Sequence, residues 1–144
     1  MSKILLLGSD AVSHYTLKSM LAKNKNLVSR LQVLCPPATS NPNTPLSVFH
    51  NYLKEQEIRV TSFTGHWHID HECKIGIVAS FGHMVPAEII DSFPLGMYVM
   101  HPSLLPKYRG ACPIQHAILN KETETGVSII EISKNKFDAG SILV

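Results

Sequence analysis

His101 closes an apolar run, MYVM (97–100), and opens the segment HPSLLPKYRGACP (101–113). A histidine at the carboxyl end of a buried strand stands where open α/β sheets place their ligands. The loop behind it is stiffened by Pro102 and Pro106, and its leucines, Leu104 and Leu105, waste apolar surface unless they pack on something flat. Arg109 and Gly110 then anchor the loop before Pro113 restarts a helix. Phe137-Asp138-Ala139-Gly140 is by itself an ordinary turn, since Asp and Gly are turn residues. Set against His101, however, the Asp138 carboxylate would fix the imidazole tautomer and raise its basicity, the equipment of a general acid–base pair.

Residues 78–86, VASFGHMVP, form a second candidate at the end of another apolar strand. Gly82 lets a ligand approach the backbone closely, and Phe81 and Met84 are suited to wall an apolar ring pocket. Gly8-Ser9-Asp10 follows the first strand and opens a helix, a place for phosphate. Only one of the three glycines of a dinucleotide fingerprint is present, so a tight turn is predicted there. His66, His68, His71 and Cys73 are nitrogen and sulfur ligands in type, but HxH and HxxH spacing with no second ligand pair fits no closed zinc site. A solvated loop and no metal are predicted.

Those groups must be held by a series of alternating elements. KILLL (3–7) suits a strand buried on both faces, and residues 12–24 carry apolar positions at helical spacing. LQVLC (31–35) is a second strand, giving the strand–helix–strand opening of a doubly wound α/β domain. PPATSNPNTP (36–45) is a surface loop, with Thr44 as N-cap and Pro45 opening a helix that runs to about residue 56 on Leu46, Phe49 and Leu53. Residues 59–62 form a short strand, 65–74 an irregular stretch and 75–79 (IGIVA) the next buried strand. Helices are predicted over 86–93 and 113–119, and strands over 97–100 and 126–132. Residues 141–144 begin another strand, which gives the sequence the look of a fragment.

The length of 144 residues predicts one domain, and 44 % apolar against 17 % charged residues excludes a disordered chain. A net charge of +2 gives no strong basic footprint for nucleic acid. Three widely spaced cysteines make no disulfide framework and predict a reducing compartment. No apolar stretch approaches the roughly 20 residues of a membrane span, and no signal or transit leader is visible at Met1. A soluble intracellular protein without a membrane association is predicted.

Four strings together, IVASFGHMVP, HPSLLPKYRGACPIQHAIL, ETGVSIIEI and FDAGSIL, resemble the folate-dependent formyltransferases, and specifically the methionyl-tRNA formyltransferases. HxSLLPxYRGxxPIQxAI is long and rarely met elsewhere. The amino-terminal ILLLGSD resembles the family more weakly, residues 36–74 match loosely, and the Ser/Asn/Pro-rich loop and VASFG look closer to the mitochondrial animal type than to bacterial ones. The resemblance implies a Rossmann-like, mostly parallel sheet with helices on both faces and its carboxyl-terminal part missing. Residues 1–144 would be the catalytic domain, incomplete at its carboxyl end and lacking the tRNA-binding domain. It implies transfer of a formyl group from 10-formyltetrahydrofolate to the amino group of methionyl-tRNA, by a monomer in the mitochondrion. By the same resemblance His101 and Asp138 are catalytic and Ser103, Leu104, Leu105 and Pro106 line the folate site; Phe81 and Gly82, read above as a ring pocket, are expected to bind it too, and the chemistry needs no metal.

One departure from the family pattern bears on activity. The family carries asparagine two residues before the histidine, where this chain has Val99. Losing one such donor to a developing oxyanion costs on the order of 3 kcal/mol, or 10²–10³ in rate. A slow or inactive enzyme is therefore expected. Two other outcomes stay open at this point: a non-catalytic folate-binding remnant, and a formyltransferase acting on a small-molecule amine.

Overall fold

The computed structural model describes residues 2–38, 46–134 and 136–144. Six strands form one sheet in the order β3-β2-β1-β4-β5-β6. They are β1 (Lys3–Gly8), β2 (Leu31–Cys35), β3 (Val60–Ser62), β4 (Cys73–Ala79), β5 (Met97–His101) and β6 (Ser128–Glu131). All neighbours are parallel except β5 and β6, which pair antiparallel. The α/β class and the mostly parallel sheet are as expected, and the chain order reverses beside β1, between β2 and β4.

Alternation along β1 explains why the sheet is covered twice. Leu5 and Leu7 face one side, with Leu34, Phe81 and helix α3 (Ala87–Asp91). Leu6 faces the other, with Leu17 and Leu21 of α1 (Ala11–Lys23) and Phe49 and Leu53 of α2 (Val48–Glu55). A last helix, α4 (Pro113–Leu119), has the predicted bounds and carries Pro113 at its start, where a missing N–H costs nothing.

Several boundaries differ from expectation. The predicted N-cap Thr44 and the helix start at Pro45 lie outside the described residues. Helix α2 begins at Val48, and Ser47 caps it by accepting from the His50 N–H, which leaves Leu46 outside the helix and 40 % exposed. A 3-10 turn over Lys25–Arg30 follows α1, opened by the Asn24 side chain accepting from the Asn26 N–H. Cys73 and Lys74, predicted irregular, begin β4 because Cys73 is buried in the core beside β1. Strand β6 is shorter than predicted, starting at Ser128. Beyond it residues 141–144 pair antiparallel with β6: Ile142 faces Ile130, and the Ile129 N–H donates to the Val144 carbonyl at 2.7 Å.

Candidate active site

A cavity of about 480 Å³ opens at the carboxyl ends of β4 and β5, within the usual range for small-molecule sites. Its floor is a row of cross-strand partners: Val78 pairs with Val99, and Val99 with Ile130. Paired residues share a face, and His101, two residues beyond Val99, shares it too. Phe81 and Met84 wall one side, while Gly110, Cys112 and Asp138 close the other.

His101 is 5 % exposed and held at both ring nitrogens. Its Nδ1 is 2.9 Å from Ser103 Oγ, and its Nε2 is 3.1 Å from Asp138 Oδ2 and 3.3 Å from the Gly110 carbonyl oxygen. The proton positions follow from the partners. Ser103 spends its single hydroxyl hydrogen on the Lys107 carbonyl at 2.7 Å, so toward His101 it can only accept. Nε2 faces two further acceptors. A ring with hydrogen on both nitrogens satisfies all three partners, so the site favours the protonated imidazole. Burial works against that charge, but the hydrogen bond and charge of Asp138, with the Gly110 carbonyl, outweigh it and hold the His101 pKa above its ordinary value. Burial likewise opposes the Asp138 carboxylate. The His101 bond, the Gly110 N–H donating at 2.8 Å and the Arg109 charge more than compensate, and its pKa lies below the ordinary value.

The turn carrying Asp138 is itself fixed by close packing. Asp138 has φ 47°, a left-handed conformation that aspartate tolerates better than most residues. Gly140 follows because a Cβ there would fall 1.7 Å from the Glu131 carbonyl oxygen. The loop from β6 can thus double back against β6 and bring the carboxylate under His101.

Of the residues expected at the site, His101, Asp138, Phe81 and Gly82 line the cavity, as does Met84. Ser103, Leu104, Leu105 and Pro106 are not among its lining residues. Ser103 is fully buried behind His101, the Leu105 N–H donates to Ser128 Oγ, and Leu104 is 46 % exposed away from the opening. Ser103 braces the histidine, while Leu104 packs against Gly126 and Leu105 is half-buried. Ile130, Ile132, Ser133 and Cys112 were missed. Alternation in SIIEI places Ile130 and Ile132 on one face, but only the register of β6 against β5 puts that face beside His101. The histidines 66, 68 and 71 are not among the lining residues, and Cys73 is buried with its thiol toward Gln32. Among the described residues no group of three His, Cys, Asp or Glu side chains is placed to hold a metal ion.

The model of the family described as formyl transferase matches residues 36–144. The chain belongs to the formyl transferase family. A mitochondrial methionyl-tRNA formyltransferase from Mus musculus is 33 % identical over 98 % of this chain, which spans only 36 % of that relative's length. The structure of an N-formyltransferase from Helicobacter canadensis, in complex with folinic acid and dTDP-3-aminofucose, superposes with TM-score 0.68 at 25 % identity, covering all of this chain and 51 % of that one. Glycinamide ribonucleotide transformylase 1 from Symbiobacterium toebii shares the fold, with TM-score 0.75 at 16 % identity over all of this chain and 71 % of that one. The matched region holds β3 to β6, the strand-end cavity and the buried His101–Asp138 pair.

Proposed function

We propose that the cavity binds 10-formyltetrahydrofolate and that the chain serves formyl transfer to the amino group of methionyl-tRNA. The observation that carries the proposal is the His101–Asp138 pair buried at the end of an apolar cavity. The fit of residues to donor is direct. Val78, Val99 and Ile130 offer a flat apolar floor, and Phe81 a ring wall, for a planar heterocycle. The bound folate supplies an electrophilic formyl carbon.

Catalysis then falls to three groups. The His101 charge lies where negative charge develops on the formyl oxygen as the amine attacks, and a fixed cation in a water-poor site stabilises such charge strongly. Asp138 keeps that imidazole protonated. Its Oδ2 takes the bonds from His101 and Gly110, while Oδ1 accepts none among the described residues and is free to take a proton from the attacking amine, directly or through water, and to return it to the folate nitrogen as that carbon–nitrogen bond breaks and tetrahydrofolate leaves. Ser103 fixes the ring from behind. Val99 supplies no donor, so the chain is a slow catalyst.

The likeness to the mitochondrial methionyl-tRNA formyltransferase of mouse supports methionyl-tRNA as acceptor and a mitochondrial location. The Helicobacter structure with its amino-sugar nucleotide supports a second reading, a small-molecule amine. Trp67 packs on Phe81 with ring centroids 5.8 Å apart, so its fluorescence reports on the cavity wall. Saturating folinic acid should shift that emission and raise the melting point, and silence in both would overturn folate binding. His101→Ala should then abolish transfer while folinic acid still binds; unchanged transfer would remove His101 from the chemistry. Faster formylation of a purine-precursor or sugar-nucleotide amine than of methionyl-tRNA would reassign the acceptor.

A further inference from the structure

Ser80 lines the cavity where the chain leaves β4, and its φ of 54° is one that L-residues rarely adopt. From this bend Phe81 turns inward to 2 % exposure against Phe63 and Trp67, and Gly82 follows with φ 79°. Such a bend persists only where its surroundings hold it. Here the holding comes from the first turn of α1, on the neighbouring strand's side. The Ser9 hydroxyl donates to the Ser80 carbonyl at 2.5 Å, and the buried Ser13 hydroxyl donates to the Ala79 carbonyl. The Ser80 hydroxyl in turn donates to Asp10 Oδ2. The other oxygen of the same carboxylate caps α1, accepting from the Val12 N–H at 2.9 Å and the Ser13 N–H at 3.4 Å. Gly8 permits the close approach, since a Cβ there would lie 2.5 Å from Ser13 Oγ.

We infer that Asp10 is a positioning residue: its carboxylate clasps Ser80 to the start of α1 and so fixes the cavity wall formed by Ser80, Phe81 and Gly82. It also fills the helix terminus that the Gly8-Ser9-Asp10 turn offered to a phosphate. Asp10 does not line the cavity; it acts through Ser80. The inference concerns the wall itself, and only its ligand arm rests on the folate proposal above.

The test is Asp10→Ser, with Asp10→Asn beside it. Serine caps a helix about as well as aspartate but is too short to hold Ser80 as well, whereas asparagine keeps both reaches. Amide hydrogen exchange is followed across the whole chain, with thermal melting and folinic acid affinity. In Asp10→Ser, exchange over residues 80–84 should quicken about tenfold, the size of one lost hydrogen bond to a charged group. The melting point and exchange in α1 should hold, and Asp10→Asn should restore the slow exchange. Folinic acid should bind about tenfold more weakly to Asp10→Ser on the same basis. Unchanged exchange over 80–84 overturns the inference, and so does acceleration spread evenly over α1 and the sheet, which would mark a merely general loss of stability. Ser80→Ala, which leaves the cap intact, carries the same exchange test should Asp10→Ser fail to fold. Local loosening in a chain that does not bind folinic acid at all would keep the clasp and remove the folate reading.

Discussion

His101 Nε2 and Asp138 Oδ2 lie 3.1 Å apart, and their side chains are only 6 % and 11 % exposed. The two residues come from different elements, the end of β5 and the turn beyond β6. Their pairing makes pH the first lever on this molecule.

The His101 pKa lies above its ordinary 6.5, and the Asp138 pKa below its ordinary 3.8. The raised imidazole contributes stability that is fully present below pH 6.5 and is lost as pH rises through its folded value. The depressed carboxyl contributes stability present above pH 3.8 and lost as pH falls through its folded value. The pair is therefore worth most between those limits. Asp138→Asn should destabilise the chain by about 1–3 kcal/mol in that window, with the deficit shrinking as pH climbs above it. Denaturant unfolding of both proteins from pH 4 to pH 9 checks this, and a pH-independent deficit would contradict it.

Ser103→Ala removes the acceptor at His101 Nδ1 and strands the Lys107 carbonyl. The His101 pKa should fall toward its ordinary value, and stability should drop by about 1–3 kcal/mol, the cost of buried groups left unpaired. Imidazole NMR titration and denaturant unfolding measure the two effects. Leu104→Ala, at a half-exposed position outside the cavity, should leave the His101 titration where it is.

Gly140→Ala forces a Cβ against the Glu131 carbonyl oxygen, 1.7 Å away before relaxation. Moving the turn to admit it should cost about 1–3 kcal/mol and pull Asp138 from under His101. A melting-point loss accompanied by a lowered His101 pKa is the expected signature. Lost stability with an unchanged His101 titration would mean that the turn yields elsewhere.

How much of this the residues announced varies by element. The parallel strands were legible because β1, β2 and β4 are buried on both faces and so are written as unbroken apolar runs. Helix α4 was legible because Pro113 marks its start. The place of His101 followed from its position at a strand end. Long-range side-chain bonds left no local trace. Nothing in SLLP says that Ser103 gives its hydrogen to Lys107 and so commits the loop to bracing His101. Nothing in Ser80 shows that its partner is Asp10, seventy residues away. The start of α2 was misplaced because Pro45 offers the stronger local signal, while the cap actually used, Ser47, is also tied through its hydroxyl to the Ser9 carbonyl.

The central claim, that this cavity is a formyl-transfer site with one donor missing at Val99, is tested most directly by transfer from 10-formyltetrahydrofolate to methionyl-tRNA. The chain and its Val99→Asn variant are compared side by side. Asparagine at 99 would stand on the cavity floor between Val78 and Ile130, two residues from His101. The predicted result is a rise of about 10²-fold in the variant, the size of one regained oxyanion donor. Folded proteins that both fail to transfer the group would contradict the claim.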